Sequence, residues 1–261
     1  MGVVNVTPDS FSDGGRHLRA DDAVAHGEAL RTDGADILDI GGESTRPGAG
    51  RVDPALEQER VLPVIARLAE GGAVISVDTM NATTAVAAVA VGARIVNDVS
   101  GGLADPDMLA AVAGTDADII LQHWRGHSAA MYDPADYADI TAEVVGELQQ
   151  RVQAATDAGI PAERIILDPG FGFGKQPADN WVLARDLSHL IGLGYRVLIG
   201  ASRKRMLAVA IGEDATEQRK DLATAVTSVL AAQAGAWGVR VHDVASTRIA
   251  LAVRDEWEGR G

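Results

Sequence analysis

Eight short apolar runs, each followed by a longer stretch with helical spacing, predict an α/β chain folded as a single (β/α)8 TIM barrel over residues 1–261. Two more observations support it. The βα repeat is about 33 residues long, which suits one strand, one helix and two short loops. No Pro/Gly/Ser-rich linker divides the chain, so one domain is expected. An open doubly wound sheet shares the local pattern, but a count of eight favours closure.

Taken in order, the first strand is predicted at 3–6 and is followed by a Gly/Ser-rich loop and a helix over 21–33. The second strand, 36–40, leads through another Gly-rich loop to a helix over 54–70, which opens on Asp53-Pro54, a cap with proline at the first helical position. Strand 73–77 precedes a helix of Ala and Val over 81–91. Strand 94–96 precedes one over 105–113, which opens similarly on Asp105-Pro106. Strands 118–121, 164–167, 196–199 and 238–241 pair with helices 137–158, 178–192, 216–234 and 245–257. The strands are β-branched and mostly lack polar alternation, so they read as buried on both faces. Gly34, Gly71, Gly92, Gly159 and Gly235 follow helices in positions suited to a left-handed C-cap.

Composition narrows the function. With 47% hydrophobic and only 4% aromatic residues, the core must be aliphatic. A net charge of −14 repels a phosphate backbone, which argues against general nucleic-acid binding; an anionic small substrate must be met by local Arg and Lys. The absence of cysteine excludes disulfides, thiolate catalysis, iron–sulfur clusters and Cys-type zinc sites. No apolar run reaches the roughly 18 residues of a membrane span. No basic stretch precedes the apolar start, so no signal peptide is expected, and the predicted setting is cytoplasmic.

In a barrel the strand ends and βα loops build the active site. Those points carry Asn5, Asp39, Glu43, Asp78, Asn97, His123, Asp168, Ser202 to Lys204, Arg240 and His242. Any one could cap a helix; convergence from every strand points to a polar site. The loop from Asp168 to Lys175 is neither a Walker A motif nor a dinucleotide fingerprint, since its glycines have the wrong spacing. His123 and His127 follow a strand without an H-E-x-x-H helix, which disfavours zinc. No G-x-S-x-G elbow exists for a covalent hydrolase.

Seven segments in order resemble the signatures of the dihydropteroate synthase family of pterin-binding enzymes. They are the opening Met1 to Gly15, Asp39-Ile40-Gly41-Gly42-Glu43-Ser44-Thr45-Arg46-Pro47-Gly48, Ser76-Val77-Asp78-Thr79, Asn97-Asp98-Val99-Ser100-Gly101, Asp168 to Lys175, Ser202-Arg203-Lys204 and Arg240-Val241-His242-Asp243. The Ala-rich composition and His123-Trp124-Arg125 are similar to actinobacterial members. The resemblance implies that p-aminobenzoate is joined to a 6-hydroxymethyl-7,8-dihydropterin diphosphate with loss of pyrophosphate. It implies a pterin site of Asp78, Asn97, Asp168, Lys204, Arg240 and Gln122, and a diphosphate site of Arg46, Arg240 and His242. Phe11, Thr45, Pro47 and Arg205 match the p-aminobenzoate pocket and its loops, and Asn5 matches a Mg²⁺ ligand. A homodimer through the helices at 216–234 and 245–257 is implied as well, with small-molecule substrates as the only other partners. Asp168 can instead be read as a cap for the Pro169-Gly170 turn.

Three departures stand out. Gln122 replaces the Met usual beneath the pterin, Arg205 replaces a Ser that helps hold the substrate carboxylate, and the chain begins almost inside its first strand, which predicts weaker closure of the barrel floor. A methyltetrahydrofolate methyltransferase uses a similar pterin-binding barrel. The Ser44 to Gly48 loop, Ser202-Arg203-Lys204 and Arg240-Val241-His242 separate the two, because methyl transfer needs no diphosphate pocket. A pterin-binding paralogue without synthase activity should carry altered first and second loops, and both are intact here.

Overall fold

The computed structural model describes residues 1–7, 16–43, 51–125 and 136–260. Among these lie strands β1 (Gly2–Asn5), β2 (Ile37–Gly41), β3 (Val74–Asp78), β4 (Ile95–Asp98), β5 (Asp118–Gln122), β6 (Ile165–Asp168), β7 (Arg196–Ile199) and β8 (Gly238–Val239), ordered in the sheet as in the chain. Every pairing from β1·β2 to β7·β8 is parallel. The ring then closes: the Val3 N–H donates to the Val241 carbonyl at 3.1 Å, and the Val241 N–H donates to the Met1 carbonyl at 3.0 Å. Closure thus runs through one bridge, Gly2 against Val241, between β1 and the segment just after β8.

Helices α1 (Arg16–Thr32), α2 (Pro54–Glu70), α3 (Ala82–Ala90), α4 (Met108–Ala113), α5 (Ile140–Asp157), α6 (Pro177–Arg185), α7 (Leu187–Ile191), α8 (Ala208–Ile211), α9 (Glu217–Ala234) and α10 (Val244–Trp257) wrap the ring. Asp53 caps α2 as read from sequence, its side chain accepting from the Ala55 N–H. Asp105 does not start α4. It reaches back to accept the Ala82 N–H at the start of α3 at 2.8 Å, so its carboxylate ties two helices together. The stretch 178–192 breaks into α6 and α7 at Asp186, and the left-handed glycine after α2 is Gly72, not Gly71. No helix among the described residues is long and apolar enough to cross a membrane.

Strand side chains point alternately to two faces, and both faces are buried, as the lack of polar alternation predicts. Outward residues such as Leu38, Ile40, Ile75, Val77, Ile119, Leu121, Ile165 and Leu167 pack under the helices in the main core. Inward, Ile95, Ile120, Ile166 and Leu198 form a separate small cluster. Two residues further along β4, β5 and β6, on the same inner face, come Asn97, Gln122 and Asp168. An apolar plug thus fills the barrel's middle, and a polar layer opens above it at the strand ends.

Candidate active site

The polar layer is knitted around Asp39, a fully buried carboxylate on β2. Its Oδ2 accepts from Arg240 Nε at 2.6 Å and from Asn97 Nδ2 at 3.0 Å. Arg240 also donates through Nη2 to Asp78 Oδ2 at 2.8 Å. The residue just after β8 therefore supplies a guanidinium that bridges carboxylates from β2 and β3. Burial pushes the Asp78 carboxyl up to about 7, with Arg240 opposing the shift. Asp39 Oδ1 stays unpaired although it is buried.

Across the mouth, Asp168 Oδ1 accepts the Gly170 N–H at 2.7 Å, so the turn-capping role is present. Gly170 has φ +67°, and a Cβ there would sit 2.2 Å from the His123 carbonyl oxygen; only glycine fits this turn. Asp168 Oδ2 faces Gly200, where a Cβ would come within 3.5 Å of it and 3.8 Å of Lys204 Nζ. Burial raises the Asp168 carboxyl, opposed chiefly by Lys204, while burial lowers the Lys204 ammonium to about 8, opposed by Asp168. Lys204 Nζ donates to the Phe171 carbonyl and lies 4.6 Å from the Phe173 ring centroid. Gln122 is buried beside this turn and donates to the Val99 carbonyl at 3.2 Å.

After β8, His242 meets Ser202 twice. The His242 backbone N–H donates to Ser202 Oγ at 3.2 Å, and Oγ lies 2.9 Å from His242 Nδ1. Oγ can accept the backbone N–H and give its own proton to Nδ1, the arrangement in which the imidazole proton sits on Nε2 and faces outward as a donor. Burial, helped by Arg240, lowers His242 to about 4, so at neutral pH it is a neutral N–H donor and not the cation an anion site suggests.

Sequence reasoning gave no role to a second buried group next to this site. Lys175 Nζ donates to the Gly170 and Phe173 carbonyls, both at 3.0 Å, and to His123 Nδ1 at 2.8 Å. His123 then passes its Nε2 proton toward Glu147 Oε2 at 2.9 Å on α5. Burial lowers Lys175 to about 7, and burial with the Lys175 charge lowers His123 to about 4. This chain secures the loop after β6 that carries Asp168.

Of the remaining expected residues, Asn5 ends β1 half-buried at the mouth, and Arg205, itself exposed, opens a 3₁₀ turn whose Met206 and Leu207 are buried. Phe11, Thr45, Arg46 and Pro47 lie outside the described residues. Among the described residues no group of three or more His, Asp or Glu side chains could hold a metal ion alone.

A model of the family described as pterin binding enzyme matches residues 1–242. A dihydropteroate synthase of Mycobacterium leprae is 49% identical over 98% of this chain and 92% of its own. One from Streptococcus pyogenes is 44% identical over 97% and 93%. Among solved structures, a Xanthomonas albilineans dihydropteroate synthase with 4-aminobenzoic acid superposes with a TM-score of 0.92 at 47% identity, covering 99% of this chain and 92% of that one. The Xanthomonas albilineans enzyme in complex with 7,8-dihydropteroate gives a TM-score of 0.88 at 44% identity over 99% and 92%.

Proposed function

The chain belongs to the pterin-binding enzyme family, and from that premise we propose how its residues divide the dihydropteroate synthase reaction. The enzyme condenses 6-hydroxymethyl-7,8-dihydropterin diphosphate with p-aminobenzoate, giving 7,8-dihydropteroate and pyrophosphate in folate synthesis.

The observation that carries the residue assignment is the opposed pair of polar walls at the mouth. One is Asp39–Arg240–Asp78 with Asn97, and the other is Asp168 with Lys204. The pterin's pyrimidine edge offers N–H donors. Asp168 and the Asn97 carbonyl accept them, because the Asn97 amide N–H is already committed to Asp39. Asp78 takes a further ring N–H, and its raised pKa lets it hold or release a proton near neutrality. Lys204 donates to the ring's carbonyl and N5 acceptors. Arg240, fixed by two carboxylates, lies on the ring face, and Gln122 forms the polar floor.

The diphosphate is met by Arg46, Arg240 and the Nε2–H of His242. Phe11, Thr45, Pro47 and Arg205 form the p-aminobenzoate pocket. The single side-chain oxygen of Asn5 suits Mg²⁺, which takes few protein ligands and shares its shell with phosphates and water. When bound, Mg²⁺ supplies positive charge to the leaving diphosphate.

The chain's residues then act in a dissociative displacement. The C–O bond breaks and its electron pair leaves with pyrophosphate, whose growing charge meets Arg46, Arg240 and His242. The carboxylates around the pterin stabilise the methylene cation. The arylamine nitrogen supplies the pair for the new C–N bond and gives its proton to water. No strong base is needed. The protein works as one domain over 1–261 in the cytoplasm, a setting that suits a chain without cysteine.

A homodimer is the second part of the reading. Leu222, Val226, Leu230 and Ile249 line a groove of about 400 Å³ between α9 and α10, and Trp257, the last residue of α10, is 87% exposed. A second copy, meeting the same surface about a two-fold axis, buries this face against itself.

Calorimetry tests the site. A 6-hydroxymethylpterin ligand is expected to bind the free enzyme, and p-aminobenzoate to bind well only with pterin and pyrophosphate in place. Equal p-aminobenzoate affinity with and without them removes the proposed pocket order.

A further inference from the structure

Arg203 is the one non-glycine residue with positive φ among the described residues, at +57°. An L side chain is sterically disfavoured there, so something must hold it. The fastening is on α9. Arg203 Nε and Nη2 donate to the two oxygens of Asp221 at 2.7 and 2.8 Å, a planar two-bonded fork, and its backbone N–H donates to the buried Thr224 hydroxyl at 3.2 Å. Its neighbours go the other way. Ser202 turns to His242 and Lys204 to the Phe171 carbonyl, both in the mouth.

We propose that Arg203 is a positioning residue for the pterin substrate: locked to Asp221 in a left-handed turn, it aims Ser202 and Lys204 at the ligand. Glycine at this position would relieve the strain but leave the turn free to swing. An anchored arginine keeps the turn in one geometry, the pre-organisation a binding site requires. The inference rests on the reading of Lys204 as a pterin donor. A simpler alternative is that the fork only staples α9 to the barrel.

Arg203→Gly, Asp221→Asn and, as reference, Lys204→Ala separate these accounts by melting temperature, 6-hydroxymethylpterin affinity and kcat. Arg203→Gly should melt within a few degrees of the parent, yet bind pterin about tenfold more weakly with kcat reduced about tenfold. Asp221→Asn, which keeps the side chain's shape and weakens the fork, should move both constants in the same direction by less. Should Arg203→Gly fail to fold, Asp221→Asn decides by the same criterion. A lower melting temperature with parental affinity and kcat per folded molecule makes the fork a staple and overturns the proposal. If Lys204→Ala weakens pterin binding while Arg203→Gly and Asp221→Asn do not, the inference alone fails. If Lys204→Ala leaves affinity intact, the site reading fails and the inference with it.

Discussion

Asn97 donates its side-chain N–H to Asp39 at 3.0 Å, which settles the orientation of an amide that could otherwise present either end to a ligand. Asp39 touches no substrate in the proposed site, yet it decides which atom of Asn97 does. Asp39→Asn can keep its oxygen toward Asn97 and Arg240, but it removes the charge that pairs with Arg240 and puts an NH₂ donor where buried Oδ1 has no partner, at about 1–3 kcal/mol. The expected result is roughly tenfold weaker pterin binding together with a lower melting temperature. Calorimetry that finds parental affinity contradicts the role given to Asn97.

Asp168 has two placements at once: Oδ1 caps the Gly170 turn, and Oδ2 stands 3.5 Å from where a Cβ on Gly200 would be. Asp168→Asn should therefore lower the melting temperature and also weaken pterin binding, by about tenfold to several hundredfold, since a ligand N–H then faces another donor. A fall in melting temperature with unchanged affinity would leave only the cap.

These two aspartates mark how far the sequence could be read. Asp168 stands at a strand end beside a Gly-rich loop, so its place at the mouth follows from the barrel pattern. Asp39 was legible as a polar strand-end residue, but its role was not. Its partners Asn97 and Arg240 come from β4 and from just beyond β8, and only closure of the ring brings them together. A signal was available in the inner-face spacing of Ile37 and Asp39, which repeats in Ile95 and Asn97, Ile120 and Gln122, and Ile166 and Asp168. Lys175 was hidden for another reason: two of its acceptors are backbone carbonyls, which carry no sequence identity. The break at Asp186 and the reach of Asp105 to α3 also depend on tertiary packing.

His123 is held near 4, below its ordinary 6.5, so the folded protein binds that proton less readily than the unfolded chain. Its stabilising contribution is complete above pH 6.5 and is lost as pH falls toward 4. Buried Asp78 titrates with the opposite sign across part of the same range, so the informative quantity is a difference. Relative to His123→Gln, the parent should lose about 2 kcal/mol more unfolding free energy between pH 7.5 and 5. Parallel pH profiles in denaturant titrations rule out a buried neutral His123.

Ile249, at 68% exposure, stands on the apolar face shared by α9 and α10. Ile249→Glu should halve the mass seen by sedimentation velocity and leave the melting of the barrel core nearly unchanged. A parent protein that sediments as a monomer excludes the two-fold assembly.

Pyrophosphate release under steady-state conditions tests the central claim most directly, with pterin diphosphate and p-aminobenzoate supplied together and singly. Sustained turnover only when both are present is the predicted result, with Lys204→Ala and Arg240→Ala each slower by about two orders of magnitude. Pyrophosphate release at the same rate without p-aminobenzoate, or none with both substrates present, would contradict a synthase built on these residues.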